Sequence, residues 1–219
     1  MKDRILVLSP HPDDDVIGCG GTIYKHSAEN DHVKVVYLTD GRECNPSLTD
    51  EEKGIIALKR KSEAKKATNI LKVDDLVFLD FPDTKLGFYT GEAASRLKSI
   101  IEDYQPDIIY LPWLGDDHVD HKATNSILAR TLERSNQDYV IRGYEIWTSL
   151  TPNKSVDITE IIDLKKKALD QFETQNRILN LKKMTISRNK SRGAGSKNYA
   201  EAFISKNSKE YLDGVRVGI

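Results

Sequence analysis

Two cysteines, Cys19 and Cys44, are too few and too widely spaced to frame a disulfide scaffold or a cysteine zinc site, which points to a reducing compartment. Long apolar runs are missing as well. Lys2 and Arg4 precede a contiguous apolar stretch of only residues 5–8, too short for the core of a signal peptide. No segment approaches the roughly 18 consecutive apolar residues of a membrane span. Neither sign of charge dominates: Lys and Arg number 33 against 34 Asp and Glu, a formal net charge of -1, so the basic excess of a nucleic-acid-binding surface is absent. Residues 193–197 lack the spacing of a phosphate-binding loop, and no repeat or break in composition marks a second domain. The expectation is therefore one domain over residues 1–219, soluble and cytoplasmic, large enough to bury a full core. Its partner is expected to be a small molecule rather than nucleic acid, no transmembrane segment is expected, and a homo-oligomer is compatible with the sequence.

What is present alternates. Residues 5–8, 33–38, 76–81, 108–113 and 144–150 read as strands, with a short one at 156–158. Residues 55–71, 92–104, 123–132 and a long segment from about Glu160 read as helices, the last with the stripe Leu164, Ala168, Phe172 and Leu179 interrupted by Gln175. Residues 187–198 read as a loop. The pattern predicts an α/β fold: a Rossmann-like sheet, mostly parallel, flanked by helices, with ligands at the carboxyl ends of the strands.

Two strand ends carry histidine together with carboxylates. The first strand runs into Ser9-Pro10-His11-Pro12-Asp13-Asp14-Asp15, and the strand at 108–113 into Gly115-Asp116-Asp117-His118-Val119-Asp120-His121. Capping a helix would need one aspartate and no histidine. His118 and His121 lie on one side of a helical turn and can face a common centre with His11 and an aspartate. Two imidazole nitrogens and a carboxylate oxygen, with a fourth position left for water, make up a catalytic zinc site. Zinc acidifies a bound water and polarises a carbonyl oxygen. A free carboxylate beside it can take the proton, and a histidinium can stabilise the oxyanion. No serine, cysteine or lysine nucleophile is needed, so direct hydrolysis without a covalent intermediate is expected. Arg60 extends the small stripe Ala64, Ala67 and Leu71, which turns it inward toward the substrate, with Glu63 within reach to orient it.

The opening turn resembles the His-Pro-Asp-Asp-Glu motif of the LmbE-like, or PIG-L, family of zinc-dependent N-deacetylases, which remove acetyl groups from N-acetylglucosaminyl compounds. The second turn resembles that family's His-x-Asp-His motif. Supporting matches are Gly20-Gly21-Thr22, Thr39-Asp40-Gly41, Arg60-x-x-Glu63-Ala64, Leu79-Asp80-Phe81-Pro82-Asp83, the Gln175 region and Tyr199-Ala200-Glu201-Ala202-Phe203. The resemblance implies that His11, Asp14 and His121 bind zinc, with Fe2+ as another compatible ion. It implies that Asp13 is the general base, that His118 is the cation near the oxyanion with Asp120 as its charge partner, and that Arg60 contacts the substrate. Asp15 stands where the family has glutamate, which keeps the charge but shortens its reach to a supporting or capping role behind the ligands. The substrate implied is an N-acetylated sugar conjugate, with specificity in the loops at 42–54, 83–92 and 187–198. Two competing readings are a dinucleotide-binding oxidoreductase, suggested by Gly18-x-Gly20 with Asp40 about 20 residues on, and a sugar-binding relative without activity.

Overall fold

The computed structural model describes residues 2–133, 135, 137–195 and 198–218. In chain order the elements are β1 (Arg4–Ser9), α1 (Asp14–Ala28), β2 (His32–Thr39), α2 (Asp50–Ile70), β3 (Asp75–Phe81), α3 (Thr90–Tyr104), β4 (Ile108–Pro112), α4 (Val119–Leu132), β5 (Val140–Tyr144), β6 (Lys154–Asp157), α5 (Ile162–Leu169), α6 (Glu173–Leu179), α7 (Leu181–Ser191), β7 (Ala200–Asn207) and α8 (Ser208–Val217). The strands form one sheet in the order β3-β2-β1-β4-β5-β7-β6. Strands β3 to β5 run parallel, and β7 pairs antiparallel with both β5 and β6. The sheet is thus mostly parallel, as the alternation of elements requires.

The strands read as unbroken apolar runs because both faces of the sheet are covered. Leu6, Leu8, Val36, Leu38, Ile109 and Leu111 point to a core shared with α3, α4 and α8. Their neighbours Ile5, Val7, Val35, Tyr37 and Tyr110 point to a second core shared with α1, α2 and α5. From β1 the chain proceeds to β2 and β3 on one side, then returns to place β4 on the other. The crevice of such a sheet opens where the order reverses, between β1 and β4, and the two histidine- and acid-bearing turns follow those two strands.

Three expectations shift. The strand placed at 144–150 is β5 and ends where it was expected to begin. The long helix from Glu160 is divided into α5, α6 and α7, because Asn180 adopts a left-handed conformation (φ 47°) and the Glu63 carboxylate accepts from Thr174 N and Oγ1, which starts α6 afresh. The loop at 187–198 yields its first five residues to α7, and Ser196 and Lys197 lie outside the described residues.

α1 is itself broken at Cys19 (φ -143°, ψ 20°). Here glycine serves packing, not phosphate. A Cβ on Gly18 would lie 2.2 Å from the Tyr144 ring, which the bond from its hydroxyl to Leu8 O (2.8 Å) holds in place. Gly18, Gly20 and Gly21 are all buried, so none lies open to a pyrophosphate, which argues against the dinucleotide reading. Gly18→Ala is expected to destabilise the fold by about 1–3 kcal/mol through overpacking, lowering Tm by several degrees. An unchanged thermal transition would show that the Tyr144 ring is free to yield.

Candidate active site

The turn after β1 is held by its own backbone and by Ser9. Asp13 N donates to His11 O (2.8 Å), Ser9 Oγ donates to the same carbonyl (2.7 Å), and Asp15 N donates to Ser9 Oγ (3.1 Å). Asp15 is fully buried, where it accepts from Tyr37 OH on β2 (3.0 Å), and burial pushes its carboxyl up to about 7. It joins β1 to β2 beneath the turn, and Asp13, not Asp15, holds the N-cap position of α1. Asp13 occupies the N-cap position of α1 without a side-chain capping bond, which leaves its carboxylate for Arg60.

Asp14 is central. Its Oδ2 lies 2.9 Å from His11 Nδ1 and 3.2 Å from His121 Nε2. Each imidazole is backed by carboxylate on its other nitrogen. His121 Nδ1 meets Asp116 Oδ1 at 2.8 Å, and His11 Nε2 lies 3.2 Å from both Asp120 Oδ2 and Asp83 Oδ1. Those carboxylates are themselves anchored: Asp120 accepts from Thr84 N and Leu86 N, Asp116 from Trp147 N, and Asp83 from Glu43 N. Carboxylates behind histidines fix ring orientation and raise ligand basicity in metal sites. His121 Nε2 is buried and, apart from the 3.2 Å approach of Asp14 Oδ2, has no aligned hydrogen-bond partner, a cost that a cation on that nitrogen would remove. One carboxylate between two imidazoles is a donor set whose chemistry suits a divalent cation. Potential ligand atoms of His11, His118 and His121 also lie within 4.8 Å of one another, as do those of His11, Asp83 and Asp120. In the second group, however, the carboxylates already accept backbone N–H bonds.

The charges are strongly interdependent. Burial disfavours ionisation of Asp14, yet the positive charges of His121 and His11 hold it well below the usual carboxylate range. Burial likewise opposes protonation of His11, but Asp14 and the bonds to Asp120, Asp14 and Asp83 raise it well above an ordinary imidazole. Asp13 is raised, chiefly by burial and further by Asp14, against the lowering effect of Arg60. His118 is lowered by burial and by the neighbouring His11 and His121.

All seven of His11, Asp13, Asp14, Arg60, His118, Asp120 and His121 converge on this crevice, but two pairings differ from the sequence reading. The Asp120 carboxylate faces His11 rather than His118. Its backbone N–H instead donates to His118 Nδ1 (3.2 Å), so His118 caps α4 as a neutral ring whose remaining proton sits on Nε2. Glu63 serves α6 and does not reach Arg60. Arg60 itself is buried: Nη2 lies 3.0 Å from Asp13 Oδ2, and Nη1 donates to Gly41 O (2.6 Å). The Gln175 carboxamide, with its oxygen toward the guanidinium, accepts from Nη2 at 2.8 Å. Gly41 adopts φ +67°, and a side chain there would strike the guanidinium.

Sequence reasoning gave no role to Asp83, Asp116 or Gln175. Each left a signal: Asp83 closes a strand end, Asp116 precedes His118 by two residues, and Gln175 interrupts an apolar stripe. The cleft is lined by His11, Asp13, Asp14, Arg60, Asp83 and His118 together with the apolar Ile17, Trp147, Ile178, Leu179 and Leu181.

With the geometry in place, comparison with known proteins is decisive. Residues 6–132 match the family model described as PIG-L, GlcNAc-PI de-N-acetylase, which is more than half of the chain. The chain belongs to the PIG-L family. It is 32% identical over 190 residues to the diacetylchitobiose deacetylase of Thermococcus kodakarensis, covering 78% of this chain and 70% of that protein. It is 30% identical over 189 residues to a probable N-acetyl-alpha-D-glucosaminyl L-malate deacetylase 2 of Bacillus subtilis, covering 80% and 84%. Among solved structures, the N,N'-diacetylchitobiose deacetylase of Pyrococcus horikoshii superposes with a TM-score of 0.81 at 27% identity, covering 95% of this chain and 85% of that one. As a PIG-L member the protein is an amide hydrolase acting on N-acetyl groups. No helix among the described residues is long and apolar enough to cross a membrane.

Proposed function

We propose that the protein hydrolyses the acetamide of an N-acetylated amino sugar conjugate to the free amine and acetate, with a divalent cation, zinc or Fe2+, held by His11, Asp14 and His121. The observation that carries this is the convergence of two buried, carboxylate-backed imidazoles on Asp14, with a further carboxylate, Asp13, beside them and free of any capping duty. When bound, the cation supplies Lewis acidity toward the amide oxygen and lowers the pKa of water.

The chain's own groups then have distinct tasks. Asp13 takes a proton from the attacking water as oxygen adds to the carbonyl carbon, and returns it to the nitrogen as the C–N bond breaks. Arg60 holds the Asp13 carboxylate in line and favours its charged form. His118 donates from Nε2 to the developing oxyanion as a neutral ring, because its Nδ1 is occupied by the Asp120 amide. Asp83 and Asp120 hold the His11 ring, and Asp116 holds the His121 ring. A base beside the ligand set has no purpose in mere sugar binding, which argues against an inactive relative. The cleft encloses about 140 Å³, less than the roughly 300–1,000 Å³ of a pocket that swallows a drug-sized ligand. The acetamide end enters, and the remainder of the glycoside rests on the open rim of Trp147, Ile178 and Leu179.

The test is acetate release from a panel of N-acetylated sugar conjugates. Chelation is expected to abolish release, and added zinc or Fe2+ to restore it, with about one ion per chain as a single open site requires. Release that survives complete metal removal, or stoichiometric copurification of a nicotinamide cofactor, would overturn the proposal.

A further inference from the structure

Two matched motifs, Gly20-Gly21-Thr22 and the Glu201 segment, take no part in the chemistry above, yet they meet at a fully buried ion pair. Lys165 on α5 and Glu201 on β7 lie 2.6 Å apart, Nζ to Oε1, with almost no exposure. In an unbroken α1 the Gly21 amide would donate to the carbonyl four residues back, that of Ile17. Here α1 is broken at Cys19, and the pair stands in that gap. Ile17 O accepts from Lys165 Nζ (2.9 Å), and Gly21 N donates to Glu201 Oε1 (2.8 Å). Thr22 adds bonds from N (2.7 Å) and Oγ1 (2.6 Å) to Oε2. Carbonyl, ammonium, carboxylate and amide thus stand in series between Ile17 and Gly21.

A buried ion pair is poor value as a source of stability, since apolar residues of similar volume often do as well or better. Its location here gives it another use. The piece of α1 before the break begins at Asp14, has Asp13 as its cap and presents Ile17 to the cleft. The geometry points to Lys165 and Glu201 as a positioning pair: a charged spacer that keeps α1 open and so sets where Asp13 and Asp14 stand relative to His11 and His121. Without the spacer, Gly21 N can close on Ile17 O, and the turn moves with it. This rests on the catalytic reading of that turn.

The test uses two variants. Lys165→Met with Glu201→Gln removes both charges together, while Glu201→Asp keeps both and shortens the spacer by one methylene. Each is expected to lower kcat about tenfold or more with little change in KM, since small misplacements of catalytic groups are costly. Each is also expected to weaken Zn2+ binding about tenfold in chelator competition. A crystal structure of the double variant should show the Gly21 amide moved toward Ile17 O. If either variant keeps kcat and Zn2+ affinity within about twofold of wild type while folded, whatever its Tm, the pair is only structural and the inference fails. A wild-type protein that neither binds Zn2+ nor releases acetate would instead sink the catalytic reading itself.

Discussion

Asp13→Asn is expected to lower kcat by about 10²–10⁴, the range ascribed to a positioned acid or base, while the protein keeps its divalent ion. The two effects separate because Asp13 contacts Arg60, whereas Asp14 is the carboxylate that faces both imidazoles. Steady-state kinetics and metal analysis of the purified variant check this, and loss of the ion along with turnover would make Asp13 a ligand. Arg60→Met supplies the companion experiment. The guanidinium favours the charged form of Asp13, opposing burial. Removing it lets Asp13 protonate more readily, so the acid limb of kcat/KM should move to higher pH. An unmoved limb would mean that Asp13 is not the group titrating there.

His121→Ala is expected to abolish both metal retention and turnover. Two effects add: the ligand set falls from three protein groups to two, and Asp116 loses the partner that faces it at 2.8 Å. Asp116 keeps the Trp147 amide but loses a buried partner to its charge, worth about 1.5–3 kcal/mol, so a lower Tm should accompany the loss. Asp116→Asn isolates the second effect, because His121 remains but its ring is no longer held by a carboxylate; metal affinity should fall about 10–100-fold. Stoichiometric ion in His121→Ala would move the metal to the Asp83 and Asp120 side of His11.

Most of the framework was legible because strand and helix periods are local properties. The apolar runs of β1, β2 and β4 and the acid- and histidine-rich turns at their ends stand within a few residues of where the pattern puts them. What escaped was set by distant partners. Glu63, three residues from Arg60, looks like an intrahelical partner, but Thr174 offers a buried amide and a hydroxyl that the surface of α2 does not. Asp120 reads as the natural companion of His118, yet the N–H groups of Thr84 and Leu86 draw its carboxylate toward His11. The division of the helix from Glu160 turns on a left-handed Asn180, whose conformation no apolar stripe reports. Lys165 drew no reading from the sequence, and only the sheet order brings Glu201 to it.

That order also dictates when the protein can become competent. β6 pairs with β7 alone among the described strands, and β7 follows the other described strands in the chain. During synthesis the turn bearing His11 and Asp14 emerges about 190 residues ahead of Glu201. A nascent chain lacking its final strand would carry every proposed metal ligand and still leave Lys165 as a bare charge beside the gap in α1. The first part of the site to be translated is therefore the last to be secured, and a fragment confined to the matched residues 6–132 would hold the chemistry without the part that sets its geometry.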